Sequence, residues 1–177
     1  MQYFEQFFLA ETGLKLKINV TLSAYSSFKI GGPARYFIEV ANLDQLIKAM
    51  SAAGQWRFPF YLIGGGNNLL FDDAGFNGLI IRNKASAINY LVDRQLLEVD
   101  SGSDLQQLVR FAVSSGLSGL EFLAGIPGTV GGAIYGNAGA FGQAIGEKVS
   151  EVLIFNSEEQ PVSLSQSALG FGYRSSN

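Results

Sequence analysis

Seven of the eighteen residues from Gly125 to Gly142 are glycine, and the glycine-dense character extends from Gly119 to Gly146. Such a run gives up side-chain packing and raises the entropy lost on folding. A purely connecting loop has little reason to accept that over so great a length, because long unstructured segments are uncommon unless they are functional. Close approach of backbone to a flat or phosphorylated ligand accounts for the composition better than a series of tight packing turns. The segment is therefore read as ligand-facing loop, and the rest of the chain must fold so as to present it.

A second glycine cluster precedes it, Ile63-Gly64-Gly65-Gly66-Asn67-Asn68-Leu69-Leu70. Three glycines and two asparagines allow successive backbone N–H groups to turn toward one point, an anion nest suited to a phosphate or pyrophosphate. A dinucleotide-binding fingerprint would open a helix here, whereas Leu69-Leu70-Phe71 continues as extended apolar chain. A P-loop is excluded because no Lys-Ser/Thr pair follows. A plain tight turn remains the alternative for this cluster taken alone. Two such loops, each following a strand in a separate half of the chain, can converge on one extended ligand carrying phosphates and a ring, and a nucleotide cofactor fits that description.

The elements around the loops follow from periodicity. Phe4, Phe7, Phe8 and Leu9 recur near helical spacing and predict a short helix over about 1–11 with one packed face. A polar stretch ends at Ser26-Ser27, and the turn Gly31-Gly32-Pro33 leads into a strand over 35–40. Asn42 with Gln45 three positions on predicts a capped helix whose buried stripe is Leu46, Ile47 and Met50, ended by Gly54. Strands are expected over 60–63 and 79–81, flanking the first glycine cluster and a turn at 72–78. The second half repeats the alternation, with strands over 87–92 and 96–99. A helix follows, capped by Ser103 with Gln106 at the capping-box position and carrying Leu105, Leu108, Val109 and Ala112, and Gly116 closes it. After the glycine run come a strand over 149–155, a turn at 158–160 and a short helix over 165–169.

Composition removes whole classes of chemistry. The 177 residues are 47% hydrophobic and 15% charged, enough to bury a core in one domain of ordinary size or two small ones. There is no Cys and no His, so disulfides, thiolate metal sites, cysteine nucleophiles and histidine-based triads are excluded, and no metal is expected. General acid or base work falls to Asp, Glu, Lys, Tyr or an activated hydroxyl. With a net charge of −3 and scattered Lys and Arg, nucleic acid is not an expected partner. The apolar start is interrupted by Glu5 and Glu11 without a basic leader or cleavage site, and no apolar run approaches the roughly 18 to 20 residues of a membrane span. A cytoplasmic protein with no membrane partner is the expectation.

Five motifs, in order and at these spacings, resemble the UDP-N-acetylenolpyruvoylglucosamine reductases. They are Ser27-Phe28-Lys29-Ile30-Gly31-Gly32-Pro33-Ala34, Leu62-Ile63-Gly64-Gly65-Gly66-Asn67-Asn68-Leu69-Leu70, Gly119-Leu120-Glu121-Phe122-Leu123-Ala124-Gly125-Ile126-Pro127-Gly128, Gly136-Asn137-Ala138-Gly139-Ala140 and Gly170-Phe171-Gly172-Tyr173-Arg174. The resemblance implies an α+β, two-subdomain FAD-binding fold of the vanillyl-alcohol oxidase / p-cresol methylhydroxylase type. An N-terminal α/β subdomain would occupy 1–83 and a second α+β subdomain 84–177. FAD would be held without a covalent bond, since the tethering residues His and Cys are absent, and NADPH would be the hydride donor.

The same resemblance assigns roles. Gly64, Gly65, Gly66, Asn67 and Asn68 would hold the FAD pyrophosphate. Ile126, Pro127, Gly128, Thr129, Gly131 and Gly132, with Asn137, Ala138 and Gly139, would line the flavin. Arg174 corresponds to the family arginine that contacts the enolpyruvyl carboxylate of the UDP-sugar substrate, a catalytic and substrate-binding role, and Tyr173 would support the same pocket. The family's proton-donating serine and a glutamate lie in a third, substrate-binding domain after the Tyr-Arg motif, and the resemblance implies that this chain lacks them. Glu121, though within a motif, is read as structural. A missing C-terminal domain or self-association through an unfinished edge is the implied partner. A non-catalytic FAD- or nucleotide-binding module stands as the alternative function, and a related alcohol or sugar oxidase as a third.

Overall fold

The structure is a computed structural model that describes residues 2–155 and 161–177. It divides into two compact units, Met1–Ser86 and Ala87–Asn177.

The first unit is built on a four-stranded sheet. Its strands are β1 (Lys17–Thr21), β2 (Pro33–Val40), β3 (Phe60–Ile63) and β4 (Phe76–Asn83), in the order β1-β2-β4-β3. β1 pairs antiparallel with β2, while β2 and β3 each pair parallel with β4. β1 lies in the stretch read from the sequence only as polar. Its side chains are almost all exposed, Ile18 included, so burial left no alternating pattern for the sequence to display.

Helix α1 (Gln2–Thr12) and helix α2 (Leu43–Gln55) cover one face of this sheet. Phe4 and Phe8 are fully buried and Phe7 packs at the edge, but Leu9 is 48% exposed. At about 100° per residue, Leu9 stands a quarter turn beyond Phe8, outside the packed face. In α2 the Asn42 side chain accepts from the Gln45 amide at 2.9 Å, as the cap requires, while the Gln45 side chain accepts from the Ala41 amide instead of closing a box on Asn42. The buried stripe is Leu46, Ala49, Ala52 and Ala53; Met50 packs against it and Ile47 is only half-buried. Gly54 does not end the helix. Arg57 takes the left-handed position at φ 48°, and the Arg57 and Phe58 amides close onto the carbonyls of Gly54 and Ala53, a Schellman motif without its usual glycine.

Alternation along β2 sends Tyr36, Ile38 and Val40 to the helical face and Phe37 to the other. A register shift between Ala34 and Tyr36 lets Ala34 join Phe37 on that second face, with Leu22, Ile63 and Ile80. Val20, Tyr25, Leu69, Phe71 and Phe76 pack onto this core. The chain flanking the first glycine cluster is therefore part of a core, and the cluster projects from it.

In the second unit, β5 (Ile88–Leu91) and β6 (Leu96–Val99) form a hairpin, followed by α3 (Leu105–Ser114). The cap of α3 is Asp104, whose carboxylate accepts from the Gln107 amide at 2.9 Å. Ser103, the expected cap, is fully buried, and its backbone is tied to Asp100 and Val130. Gly116, at φ 73°, does close the helix, with the Leu117 amide reaching the Ala112 carbonyl. The glycine-dense segment is not one loop. It contains a 3-10 turn at Glu121–Leu123, a six-residue helix α4 (Val130–Tyr135), the two-residue strands β7 (Gly139–Ala140) and β8 (Gln143–Ala144), and a 3-10 turn at Ile145–Lys148. Val130 and Ala133 of α4 complete a core with Leu105, Leu108, Phe122 and Leu123.

The strand expected over 149–155 begins at Glu151 as β9 (Glu151–Phe155) and pairs with β10 (Pro161–Ser165), which the alternation had not revealed. The final helix is a 3-10 turn, Gln166–Leu169. The expected turn at Glu158–Gln160 lies outside the described residues.

Candidate functional site

The loop Gly64–Asn68 leaves the end of β3 and lies on the segment 25–28. Ser26 Oγ donates to the Leu69 carbonyl at 2.6 Å and accepts from the Phe28 amide at 3.2 Å, and the Ser27 amide donates to the Gly66 carbonyl at 3.1 Å. Gly66 is buried at φ 70°, and a Cβ there would run into the Tyr25 carbonyl oxygen, so glycine is required on two counts. The Gly66 carbonyl, within the loop, and the Leu69 carbonyl, just after it, are thus committed to the protein. The backbone N–H groups of Gly65, Gly66, Asn67 and Asn68 have no acceptor among the described residues. Four consecutive unpaired amides make a place for acceptor oxygens, those of a phosphate above all.

In the second unit the expected residues divide between structure and availability. The Val130 and Gly131 amides donate to the Ser103 and Ser101 carbonyls at 2.9 and 2.7 Å, and a Cβ on Gly131 would press on Ser101 at 2.8 Å. Thr129 caps α4 by accepting from the Gly132 amide. Gly131 and Gly132 therefore serve close packing and helix entry. The Ile126 amide is bonded to Leu123, Pro127 has none, and the amides of Gly128 and Thr129 have no acceptor among the described residues.

Asn137 closes α4 from the left-handed position, φ 40°, while the Ala138 amide returns to the Ala133 carbonyl. Its buried side chain accepts from the Gly146 amide at 3.0 Å and donates to the Gly172 carbonyl at 2.7 Å. Both ends of the amide are in use within the protein, so Asn137 ties three segments together.

Tyr173 and Arg174 are the central residues of a turn closed by reciprocal backbone bonds between Gly172 and Ser175. Arg174 sits at φ 55°, an uncommon state for a side chain of this size. The turn is pinned to residues 135–139, since Arg174 Nη2 donates to the Gly139 carbonyl at 3.2 Å, Ser176 Oγ donates to the Tyr135 carbonyl at 2.9 Å, and Asn137 holds Gly172. An open cleft of about 330 Å³ runs beside it, lined by Asn137, Gly139, Gln143, Glu147, Tyr173 and Arg174 among others. The structure thus brings Arg174, Tyr173, Asn137 and Gly139 together. The Tyr173 ring is 92% exposed, with the guanidinium 5.9 Å from its centroid.

Glu121 accepts from the Gly119 amide at 2.7 Å, and bonds from its own backbone N–H and from that amide hold its carboxyl below the usual range. It braces the turn into the glycine segment. Sequence reasoning missed Gln106 as more than a helix cap. Its Nε2 donates to the Leu123 and Ile126 carbonyls at 3.0 and 2.7 Å, and its Oε1 accepts from the Gly125 amide at 2.8 Å. Among the described residues no group of His, Cys, Asp and Glu could hold a metal, and no helix is long and apolar enough to cross a membrane.

Residues 34–157 match the family described as FAD binding domain. The chain belongs to that family. The segment that defines FAD binding domain membership takes in both glycine-rich stretches and ends short of the Arg174 turn. UDP-N-acetylenolpyruvoylglucosamine reductase of Chlamydia muridarum is 42% identical over 158 residues, 89% of this chain and 53% of that protein. A solved UDP-N-acetylenolpyruvylglucosamine reductase from Thermus caldophilus superposes with a TM-score of 0.74 at 32% identity, covering 91% of this chain and 57% of that one. The glucose dehydrogenase Phl p 4.0202 shares the fold, with a TM-score of 0.68 at 16% identity over 92% of this chain and 38% of its own. The resemblance read from the five motifs is borne out, and the architecture is the α+β FAD-binding fold of the vanillyl-alcohol oxidase type. The chain spans about half the length of the curated relatives it matches, 53% in the Chlamydia case.

Proposed function

We propose that this chain is the FAD-binding part of an NADPH-dependent reductase that converts UDP-N-acetylglucosamine enolpyruvate to UDP-N-acetylmuramate in the cytoplasm, a step of peptidoglycan synthesis. The observation that carries the reading is the pinned turn that presents Arg174 to a cleft, in a chain of the FAD binding domain family. In this reading the unpaired amides of the Gly64–Asn68 loop hold the pyrophosphate. Ile126, Pro127, Gly128 and Thr129 line the flavin, with Gly128 and Thr129 offering it their free amides. Gly131, Gly132, Asn137, Ala138 and Gly139 shape that wall.

When bound, FAD supplies two-electron transfer between a nicotinamide and the enolpyruvyl double bond. The protein's own part is binding, orientation and charge. The Arg174 guanidinium holds the enolpyruvyl carboxylate through paired N–H donors and stabilises negative charge gathering beside it. The bond to Gly139 leaves the other guanidinium N–H groups for the ligand and fixes the plane from which they point. Tyr173 offers an exposed aromatic face and a hydroxyl at the mouth of the cleft.

The test mixes the purified chain with FAD, removes free cofactor by gel filtration and reads the flavin absorption band. Retention of the band and its loss with NADPH are expected. A folded chain that emerges colourless would overturn the cofactor reading. A coloured chain inert to NADPH would favour a binding module over an enzyme.

A further inference from the structure

We propose that Gln106 is a positioning residue for the flavin, holding the Gly125–Thr129 segment so that the free amides of Gly128 and Thr129 meet the cofactor; the proposal rests on the FAD reading above. Gln106 is the second residue of α3, where side chains commonly return to the helix's own unpaired amides. Its side chain instead leaves the helix and spans 17 to 20 residues of sequence. Both amide hydrogens and the carbonyl oxygen are used, by the Leu123 and Ile126 carbonyls and the Gly125 amide.

Besides Gln106, the segment is tied by the Ile126 amide to the Leu123 carbonyl and by a backbone bridge between Thr129 and Asp104, and Ile126 packs against the core of the second unit. Gly125 is in the left-handed region at φ 83°, with open space where a Cβ would stand. Pro127 contributes no N–H and restricts Ile126 to extended conformations. Beyond Pro127 the Leu105 amide donates to the Gly128 carbonyl at 3.0 Å. Two consecutive residues of α3 therefore clamp the segment at both ends, Leu105 through its backbone and Gln106 through its side chain. The free amide of Gly128 lies between the two clamp points and that of Thr129 immediately after the second, so a shift at Ile126 would re-aim the Gly128 amide first.

The pattern of two donors and one acceptor on a three-carbon reach is specific to glutamine. Glutamate could still accept from Gly125 but would set a carboxylate against two carbonyl oxygens. Methionine matches the length and makes none of the bonds. Asparagine is one methylene short.

The experiment measures FAD affinity of the full chain by quenching of flavin fluorescence, for the unchanged protein, Gln106→Met and Gln106→Glu. Leu108→Ala serves as a core control, since Leu108 lies in the core cluster of the second unit and outside the clamp. Thermal unfolding of each FAD-free chain sets a temperature well below every transition. Both Gln106 variants are expected to bind FAD at least about tenfold more weakly, a loss of one or two hydrogen bonds' worth of positioning. Gln106→Glu is expected to recover part of that loss as the pH falls and its carboxyl gains a donor, while Gln106→Met does not. Leu108→Ala is expected to keep its FAD affinity despite a lower melting temperature. Equal affinity in the Gln106 variants and the unchanged chain would overturn the proposal alone, as would a loss in Leu108→Ala as large as theirs. Failure of the unchanged chain to bind FAD would instead remove the cofactor reading on which the proposal stands.

Discussion

Asn137 Nδ2 donates to the Gly172 carbonyl oxygen at 2.7 Å across 35 residues of sequence, joining the end of a glycine-rich helix to the turn that carries Arg174. The same side chain accepts from the buried Gly146 amide. Replacing Asn137 by alanine removes both bonds and places a Cβ-bearing residue without asparagine's tolerance at φ 40°. The expected loss is about 2 to 4 kcal/mol of unfolding free energy. Asn137→Gly, which suits the backbone but not the bonds, should fall between. Urea denaturation checks both, and a change below about 0.5 kcal/mol for Asn137→Ala would contradict the cross-tie.

Gly66→Ala should fail where Gly128→Ala survives. Both have positive φ, but a Cβ at Gly66 meets the Tyr25 backbone and a Cβ at Gly128 meets open space. Strain alone at Gly128, where φ is 144°, costs about 1 to 3 kcal/mol, whereas at Gly66 strain and clash together force the Gly64–Asn68 loop off the 25–28 segment and cost about 4 kcal/mol or more. Thermal melts of the two variants give the comparison. Similar melting temperatures would refute it.

Arg174→Lys keeps the charge and loses the fork. Affinity for the enolpyruvyl UDP-sugar should drop about ten- to a hundredfold, the range of a charge-assisted pair reduced to a point contact. Thermal stability should hardly change, because the side chain is exposed and makes a single bond at 3.2 Å to Gly139. Calorimetric titration of the FAD-loaded chain reads the first effect and a melt the second. Undiminished binding by the lysine variant would take Arg174 out of the site.

Glu39 makes the first unit acid-sensitive. Burial pushes its carboxyl upward, but Lys17 at 3.4 Å and Arg82 at 2.9 Å outweigh that and leave it below the ordinary value of 4.5. A carboxyl lowered in the folded state contributes stability that is present above its unfolded value and is lost as the pH falls through the folded one. Melting temperature should therefore decline below about pH 4.5, and Glu39→Gln should flatten that decline while lowering the plateau at neutral pH. An identical acid limb in the variant would assign the sensitivity elsewhere.

The elements with a strong periodic signal were legible from sequence, and the sites that depend on side chains reaching across the fold were not. α2 and its Asn42 cap could be read because cap and stripe are local. Asp104 displaced Ser103 as cap of α3 because Ser103 is drawn inward and fully buried, and both residue types are good caps in isolation. β1 and β10 escaped notice because exposed strands carry no apolar alternation. The glycine run suggested ligand-facing loop, yet Gly131 exists to let α4 lie against Ser101. Gln106 stood at a capping-box position, and nothing local announces that its amide is occupied 17 to 20 residues away.

The order of strands in the first unit, β1-β2-β4-β3, also sets a timetable for the nascent chain. β3 has β4 as its strand neighbour, and β4 is made last. From Ile63 to Asn83 the ribosome must add 20 residues, an interval of about one to four seconds at roughly 5 to 20 residues per second. Through that interval Phe60–Ile63 has no ladder to join, and β2 is paired along the β1 side alone. Slow codons placed just before residue 76 would lengthen the exposure, and synthesis that runs quickly through 64–83 would shorten it.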